Sequence, residues 1–220
     1  MSDRDADERA AELADGNLNR WFLDPLFHGR YPADLVDHYA TLGADLDVVA
    51  PGDLEAIARP IDFLGINYYF RAYAEATADG LGWRVQRAAT GAETTSMGWG
   101  IDPTGLDDLL ARLRREYPAV PIHITENGIA LDDEVGPDGT VQDSRRIDYL
   151  DGHLDAAHRA IAAGTDLRGY FVWSFMDNFE WAAGYRPRFG LVHVDYRTQV
   201  RTPKASARWL AHVIAGTSRG

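Results

Sequence analysis

Residues 121–130, PIHITENGIA, decide how this chain is read. A break at Pro118 precedes a short apolar run, residues 122–125, of strand type, and Glu126-Asn127-Gly128 stops it. Upstream, residues 105–117 read as a helix. Downstream, within residues 143–163, Ile147, Leu150, Leu154, Ala157 and Ile161 recur at helical spacing, and Gly164 follows as a C-cap signal. Two more strand-type runs stand on either side: residues 61–69, IDFLGINYY, and residues 167–173, LRGYFVW. A last helix is expected over residues 203–215. The order is strand, helix, strand, helix, strand, helix, and the strands are too apolar to keep one face in water. That is the pattern of an α/β fold with a parallel sheet covered by helices. A doubly wound sheet and a (β/α)-barrel both satisfy it.

The first third of the chain is read more coarsely. Residues 3–14 have helical composition and end at Asp15-Gly16. Residues 19–32, NRWFLDPLFHGRYP, with two prolines and a glycine among aromatics, read as a packed irregular segment. Residues 33–42 form a short helix closed by Gly43, and residues 53–58 a helical turn capped by Asp53.

Composition narrows the function classes. Of 220 residues, 45% are hydrophobic and 25% charged, which allows a sizeable core and argues against disorder. The net charge of −12 opposes nucleic-acid binding, which needs a basic face, and opposes docking on an anionic membrane. The absence of cysteine removes disulfides, thiolate metal sites and cysteine nucleophiles. The opening MSDRDADERAAELADG is acidic and has no apolar core, so it is not a secretory signal, and no apolar run is long enough to span a bilayer. The expectation is a soluble, cytoplasmic protein. Several of the six tryptophans stand beside Gly, Asn, Asp or Glu; such rings suit sugar pockets, although each taken singly is better explained as core.

Polar and aromatic residues gather just past each strand: Asn67-Tyr68-Tyr69, Thr125-Glu126-Asn127-Gly128, and Trp173-Ser174 with the following Asp177-Asn178-Phe179-Glu180-Trp181. Parallel α/β folds build their sites at that end. Taken singly, Asn127-Gly128 also fits a plain turn, and WSFMDNFEW a packed aromatic loop. His153 and His158, five apart on one helix, do not make a metal pair. No G-x-S-x-G, G-x-G-x-x-G or P-loop occurs.

IDFLGINYY, PIHITENGIA and YFVWSFMDNFEWAAGYRPRFGLVHVDY together resemble, in order, the three signature blocks of glycoside hydrolase family 1, the β-glucosidase-like retaining glycosidases. NRWFLDPLFHGRYP and MGWGIDPTGL are similar to family positions as well. The resemblance implies a (β/α)8 TIM barrel, of which residues 1–220 would be an incomplete C-terminal part carrying strands six to eight. It implies Glu126 as nucleophile and Tyr69 as its hydrogen-bonding partner, with Asn67 ordering the site. Trp173, Glu180 and Trp181 would hold the glycone with Phe189, and Trp99 would face the aglycone. No metal or organic cofactor is implied. A carboxylate nucleophile must be ionised, and a phenol donating to it favours the charged form. From residue types alone, Glu126 and Glu180 would pair as nucleophile and acid; the resemblance argues against that.

A retaining glycosidase needs a second carboxyl about 5–5.5 Å from the nucleophile to protonate the leaving oxygen. In the family this is the Glu of an N-E-P motif after the fourth strand, and no N-E-P occurs here. The family's sugar-binding Gln, His and Asn from the first four strands, and the Arg flanking the nucleophile, have no counterpart. Gly100 stands where a larger polar residue is usual. A full barrel needs about 250 residues and eight strands. Three readings follow: a fragment of a split gene, a non-catalytic sugar- or partner-binding remnant, or a half-barrel that assembles with a separately encoded N-terminal half. By family the substrate is a β-glucoside or related saccharide, and the chain alone is expected to be weak or inactive.

Overall fold

The computed structural model describes residues 3–44, 47–78 and 80–216. The helices are α1 (Asp3–Asp15), α2 (Trp21–His28), α3 (Ala33–Thr41), α4 (Asp53–Ile57), α5 (Pro103–Glu116), α6 (Ser144–Ala162) and α7 (Ala205–Ile214). The strands are β1 (Leu64–Asn67), β2 (Tyr73–Ala76), β3 (Trp83–Gln86), β4 (Ile122–Asn127), β5 (Leu167–Val172), β6 (Val192–Val194) and β7 (Arg201–Pro203). They divide into two compact units, residues 1–62 with 72–89 and residues 63–71 with 90–220. Among the described residues no helix is long and apolar enough to cross a membrane.

The first unit holds α1 to α4 and the antiparallel hairpin β2–β3. Here the sequence reading needs correction. Residues 19–32 are largely helical: α1 runs through a π-type turn, Gly16–Arg20, directly into α2. Pro25 lies inside α2 without ending it. The carbonyl its missing N–H leaves free is that of Trp21, at the junction with the wide turn, where the helical ladder is already irregular. Gly29, with φ of 64°, ends α2 in the left-handed conformation that favours glycine. The Arg20 guanidinium forks onto Asp34 with two bonds of 2.9 Å, joining the turn to α3. The cap of α4 is Gly52, and Asp53 instead accepts the Ala50 N–H at 2.9 Å.

In the second unit β1, β4 and β5 form a parallel sheet in the order β1-β4-β5, which is the expected α/β arrangement. Two helices cover one face. Asp102 caps α5 by accepting from the Thr104 and Gly105 N–H groups, Pro103 starts it, and Leu106, Leu110 and Leu113 are buried along one stripe. Each such leucine contributes about 1.5–3 kcal/mol by leaving water. Ile122 and Ile124 of β4 are buried as well.

Helix α6 presents a different stripe from the one its aliphatic spacing suggested. The buried positions are Arg146, Tyr149, Leu150, His153, Ala156, Ala157 and Ala160, while Ile161 is exposed. The helix is rotated about one residue from the expected face because polar and aromatic side chains have partners waiting in the core. The other face of the sheet is open: Phe63 and Phe171 are 54% and 56% exposed, and both pack against the His123 ring. On the far side β6 and β7 form a short antiparallel pair that leads into α7.

Candidate active site

Glu126 stands near the carboxyl end of β4, where the ladder changes step. Register shifts fall between Ile66 and Asn67 on β1 and between Ile124 and Asn127 on β4. Irregularities of this kind re-aim side chains at strand ends. The Tyr69 hydroxyl, arriving from the end of β1, donates to Glu126 Oε2 at 2.6 Å. Burial first, then this bond and the negative charges of Glu126 and Glu180, push the Tyr69 phenol far above its ordinary pKa. It therefore remains a donor at any working pH, and Glu180 is close enough to be felt by the same phenol. Asn67 pairs with Glu126 in the ladder and accepts the Thr125 hydroxyl at 2.7 Å.

The strand end rests on a polar prop. Asn127 is fully buried, and its Nδ2 donates to the Tyr68 carbonyl at 2.8 Å and to the Tyr149 hydroxyl at 3.1 Å, while the Tyr170 hydroxyl donates to its Oδ1. Tyr149 in turn donates to the Tyr69 carbonyl at 3.2 Å. The ring of His153 stacks on Tyr149 with centroids 3.9 Å apart, and burial lowers its pKa to about 4. Asn127-Gly128 is thus no ordinary turn. A Cβ on Gly128 would overlap the Trp173 carbonyl oxygen, so glycine lets the ends of β4 and β5 meet. The sequence does not single out Asn127, Tyr149 and His153: Asn127-Gly128 also fits a plain turn, and His153 an ordinary helix position.

Aromatic rings surround the pair. Tyr69 meets Trp99 at 5.3 Å and Phe189 at 6.1 Å between centroids, both edge-on, and Trp99 and Phe189 lie 5.9 Å apart. Tyr69, Glu126, Trp99 and Phe189 therefore lie together. Trp173 is half-buried, and its N–H donates to the Asn127 carbonyl at 2.9 Å. Trp181 stands apart from any packed core at 81% exposure, with a φ of 43° that a residue with a side chain rarely adopts. Glu180 is half-buried; its N–H donates to the Gly184 carbonyl at 2.7 Å. Among the described residues, Trp99 Nε1 and Glu180 Oε2 are buried polar atoms without a protein partner, an uncommon condition.

A helix-backed parallel sheet with carboxylates, a phenol and aromatic rings at its strand ends is the arrangement in which parallel α/β folds, barrels among them, build their sites. The chain belongs to glycosyl hydrolase family 1, whose family model matches residues 1–218. It is 48% identical over 217 residues to the bifunctional β-D-glucosidase/β-D-fucosidase of Bifidobacterium breve, covering 91% of this chain and 47% of that relative. The crystal structure of a family 1 β-glucosidase from Exiguobacterium antarcticum superposes with a TM-score of 0.92 at 43% identity, over 99% of this chain and 48% of that one. A β-glucosidase from Thermotoga maritima in complex with castanospermine superposes at 0.87 with 39% identity, over 96% and 47%. The chain thus spans about half the length of the relatives it matches.

Proposed function

We propose that residues 1–220 form the C-terminal portion of one family 1 barrel domain and carry the nucleophile and much of the glycone site of a retaining β-glycosidase. The contact that carries the reading is the Tyr69 hydroxyl on Glu126 Oε2, at the carboxyl end of a parallel strand. In the first step a Glu126 oxygen attacks the anomeric carbon, the bond to the aglycone oxygen breaks, and that oxygen takes a proton from an acid. In the second step water attacks the resulting ester, gives up a proton to the same group, and frees Glu126. Tyr69 orients the carboxylate and, being held protonated, keeps a donor on it throughout. Glu180 Oε2 and Trp99 Nε1, an acceptor and a donor without protein partners, suit the hydroxyls of a sugar. Trp173, Trp181, Asn67 and Phe189 contribute to the glycone site and Trp99 to the aglycone side. The related enzyme whose structure holds castanospermine, a sugar-like inhibitor, supports a saccharide as ligand. A β-glucoside is the substrate favoured by the relatives' names.

The 220 residues contain no Asn-Glu-Pro motif to supply the acid. The open sheet face with Phe63 and Phe171, and the unpaired outer edges of β1 and β5 in the three-stranded sheet, favour assembly with a polypeptide that supplies the remaining strands and that acid. The test is hydrolysis by the purified chain, alone and with such a polypeptide. Alone it should leave cellobiose untouched, because losing acid catalysis costs about 10²–10⁴-fold and missing sugar contacts cost more. With the partner, β-glucosidase turnover should appear and should survive EDTA. Ordinary turnover of cellobiose by the chain alone would refute the missing-acid argument.

A further inference from the structure

Beneath the loop that carries Glu180 and Trp181 lies a closed knot of buried charge. Three acids, Asp133, Asp143 and Asp177, meet three bases, Arg146, Arg188 and Lys204. Arg146 bridges Asp133, at 2.7 Å, and Asp143, and also donates to the Arg188 carbonyl at 2.7 Å. Asp143 receives the N–H and hydroxyl of Ser206 at 2.8 and 2.5 Å. Lys204 is fully buried at the start of α7, and its ammonium reaches Asp133 at 2.6 Å and Asp177 at 3.0 Å. Lys204 is thus shared by two acids that each hold a second base, Arg146 for Asp133 and Arg188 for Asp177, and of the two only Asp177 lies in the loop after β5.

Asp177 is the centre of the loop after β5. Besides Lys204 it accepts the Gly190 N–H at 2.9 Å, Arg188 Nη1 at 3.1 Å and the Val194 N–H at 3.3 Å. Its own N–H donates to the Val192 carbonyl at 3.0 Å, and a Cβ on Gly190 would overlap that nitrogen. Two bonds therefore land on the residues either side of Phe189, and the carboxylate itself sits three positions before Glu180. A buried charge knot of this kind is rarely better for stability than apolar packing of equal volume, so what it offers over such packing is defined geometry.

We propose that Lys204 and Asp177 are positioning residues for sugar recognition: Lys204 anchors the Asp177 carboxylate, and through it the loop bearing Glu180 and Trp181 and the strip bearing Phe189. This rests on the reading of those three residues as glycone contacts. Neither Lys204 nor Asp177 touches substrate.

The experiment has two arms. In the first, the full chain is labelled with nitrogen-15 and the Lys204→Met variant is compared with wild type by NMR. The Glu180 amide and the Trp181 indole should shift and broaden, while the Glu126 amide and the Trp83 indole stay in place. In an Asp177→Asn background, adding Lys204→Met should move those signals no further. The double variant removes one charge of each sign and leaves Asp133 its Arg146 partner, so it keeps the test open if the single change prevents folding. In the second arm, wild type and the double variant, each assembled with the remaining barrel strands, are inactivated by a 2-deoxy-2-fluoro-β-glucoside. The inhibition constant should rise about 10-fold or more, as expected for ångström-scale misplacement, while the maximal inactivation rate changes less than about twofold. A lowered melting temperature with loop signals and inhibition constant unmoved would overturn the proposal. Failure of the wild-type assembly to be inactivated at all would count against the glycosidase reading, and the NMR arm would still decide the role of Lys204.

Discussion

At the end of β4, Glu126 leaves a strand paired on both sides, meets a phenol at 2.6 Å and is backed by the Asn127–Tyr149 prop. In the loop after β5, Glu180 leaves a short turn closed only by backbone bonds within residues 180–184, has one oxygen without a protein partner, and adjoins a tryptophan exposed over most of its surface. The first carboxylate is set before any ligand arrives. The second is fixed at the base of its loop and free at the tip. That division suits a nucleophile, which must be aimed within a fraction of an ångström, and a sugar-binding arm, which must close around hydroxyls.

The largest effect that would break the comparison is at Glu126. Glu126→Gln in the assembled barrel should lower kcat on aryl β-glucosides on the order of 10⁴-fold or more, with little change in melting temperature. A loss that large from Glu180→Gln with KM unchanged would exchange the two roles. Next comes the base of the loop. Asp177→Ala leaves Lys204 buried with one partner fewer and should destabilise the second unit by about 3–5 kcal/mol, read as a lower denaturation midpoint.

The prop under β4 should show itself through pH. His153 has a pKa of about 4 in the folded chain because of burial, against 6.5 ordinarily. As pH falls the unfolded chain takes up this proton first, so the stability tied to a neutral His153 is complete above about 6.5 and is lost progressively toward about 4. The amount is on the order of 3 kcal/mol. His193 is shifted in the same direction, so the decisive comparison is His153→Phe against wild type, whose stability difference should vary across that window. Tyr69→Phe should cost about 1.5–3 kcal/mol in kcat/KM, the range for a hydrogen bond to a charged group. Smallest of all, Trp181→Ala should leave stability within about 0.5 kcal/mol and raise KM for the glycone.

Much of this was legible in residue order. Apolar runs ending in Asn, Glu and Trp announced parallel strands with polar ends, and PIHITENGIA placed Glu126 where one of them stops. What stayed hidden had tertiary causes. Residues 19–32 look irregular because Pro25 and Gly29 signal breaks, yet a π-type turn absorbs the proline and the glycine only closes the helix. Arg146, His153 and Lys204 carry no local mark of burial, because charged or polar types usually face water unless partners are buried with them. Arg146 and Lys204 find Asp133, and Lys204 also Asp177, in segments that no local period connects to them, while His153 is held one turn away by the carbonyl and ring of Tyr149. Asn127 likewise draws its partners from far along the chain: Tyr68 just past β1, Tyr149 in α6 and Tyr170 in β5.

The most direct test of the central claim is covalent trapping. The assembled barrel is treated with an activated 2-deoxy-2-fluoro-β-glucoside, digested, and the modified peptide sequenced by mass spectrometry. The glycosyl group should be found on Glu126. Its appearance on Glu180, or inactivation that proceeds unchanged in Glu126→Gln, would contradict the account.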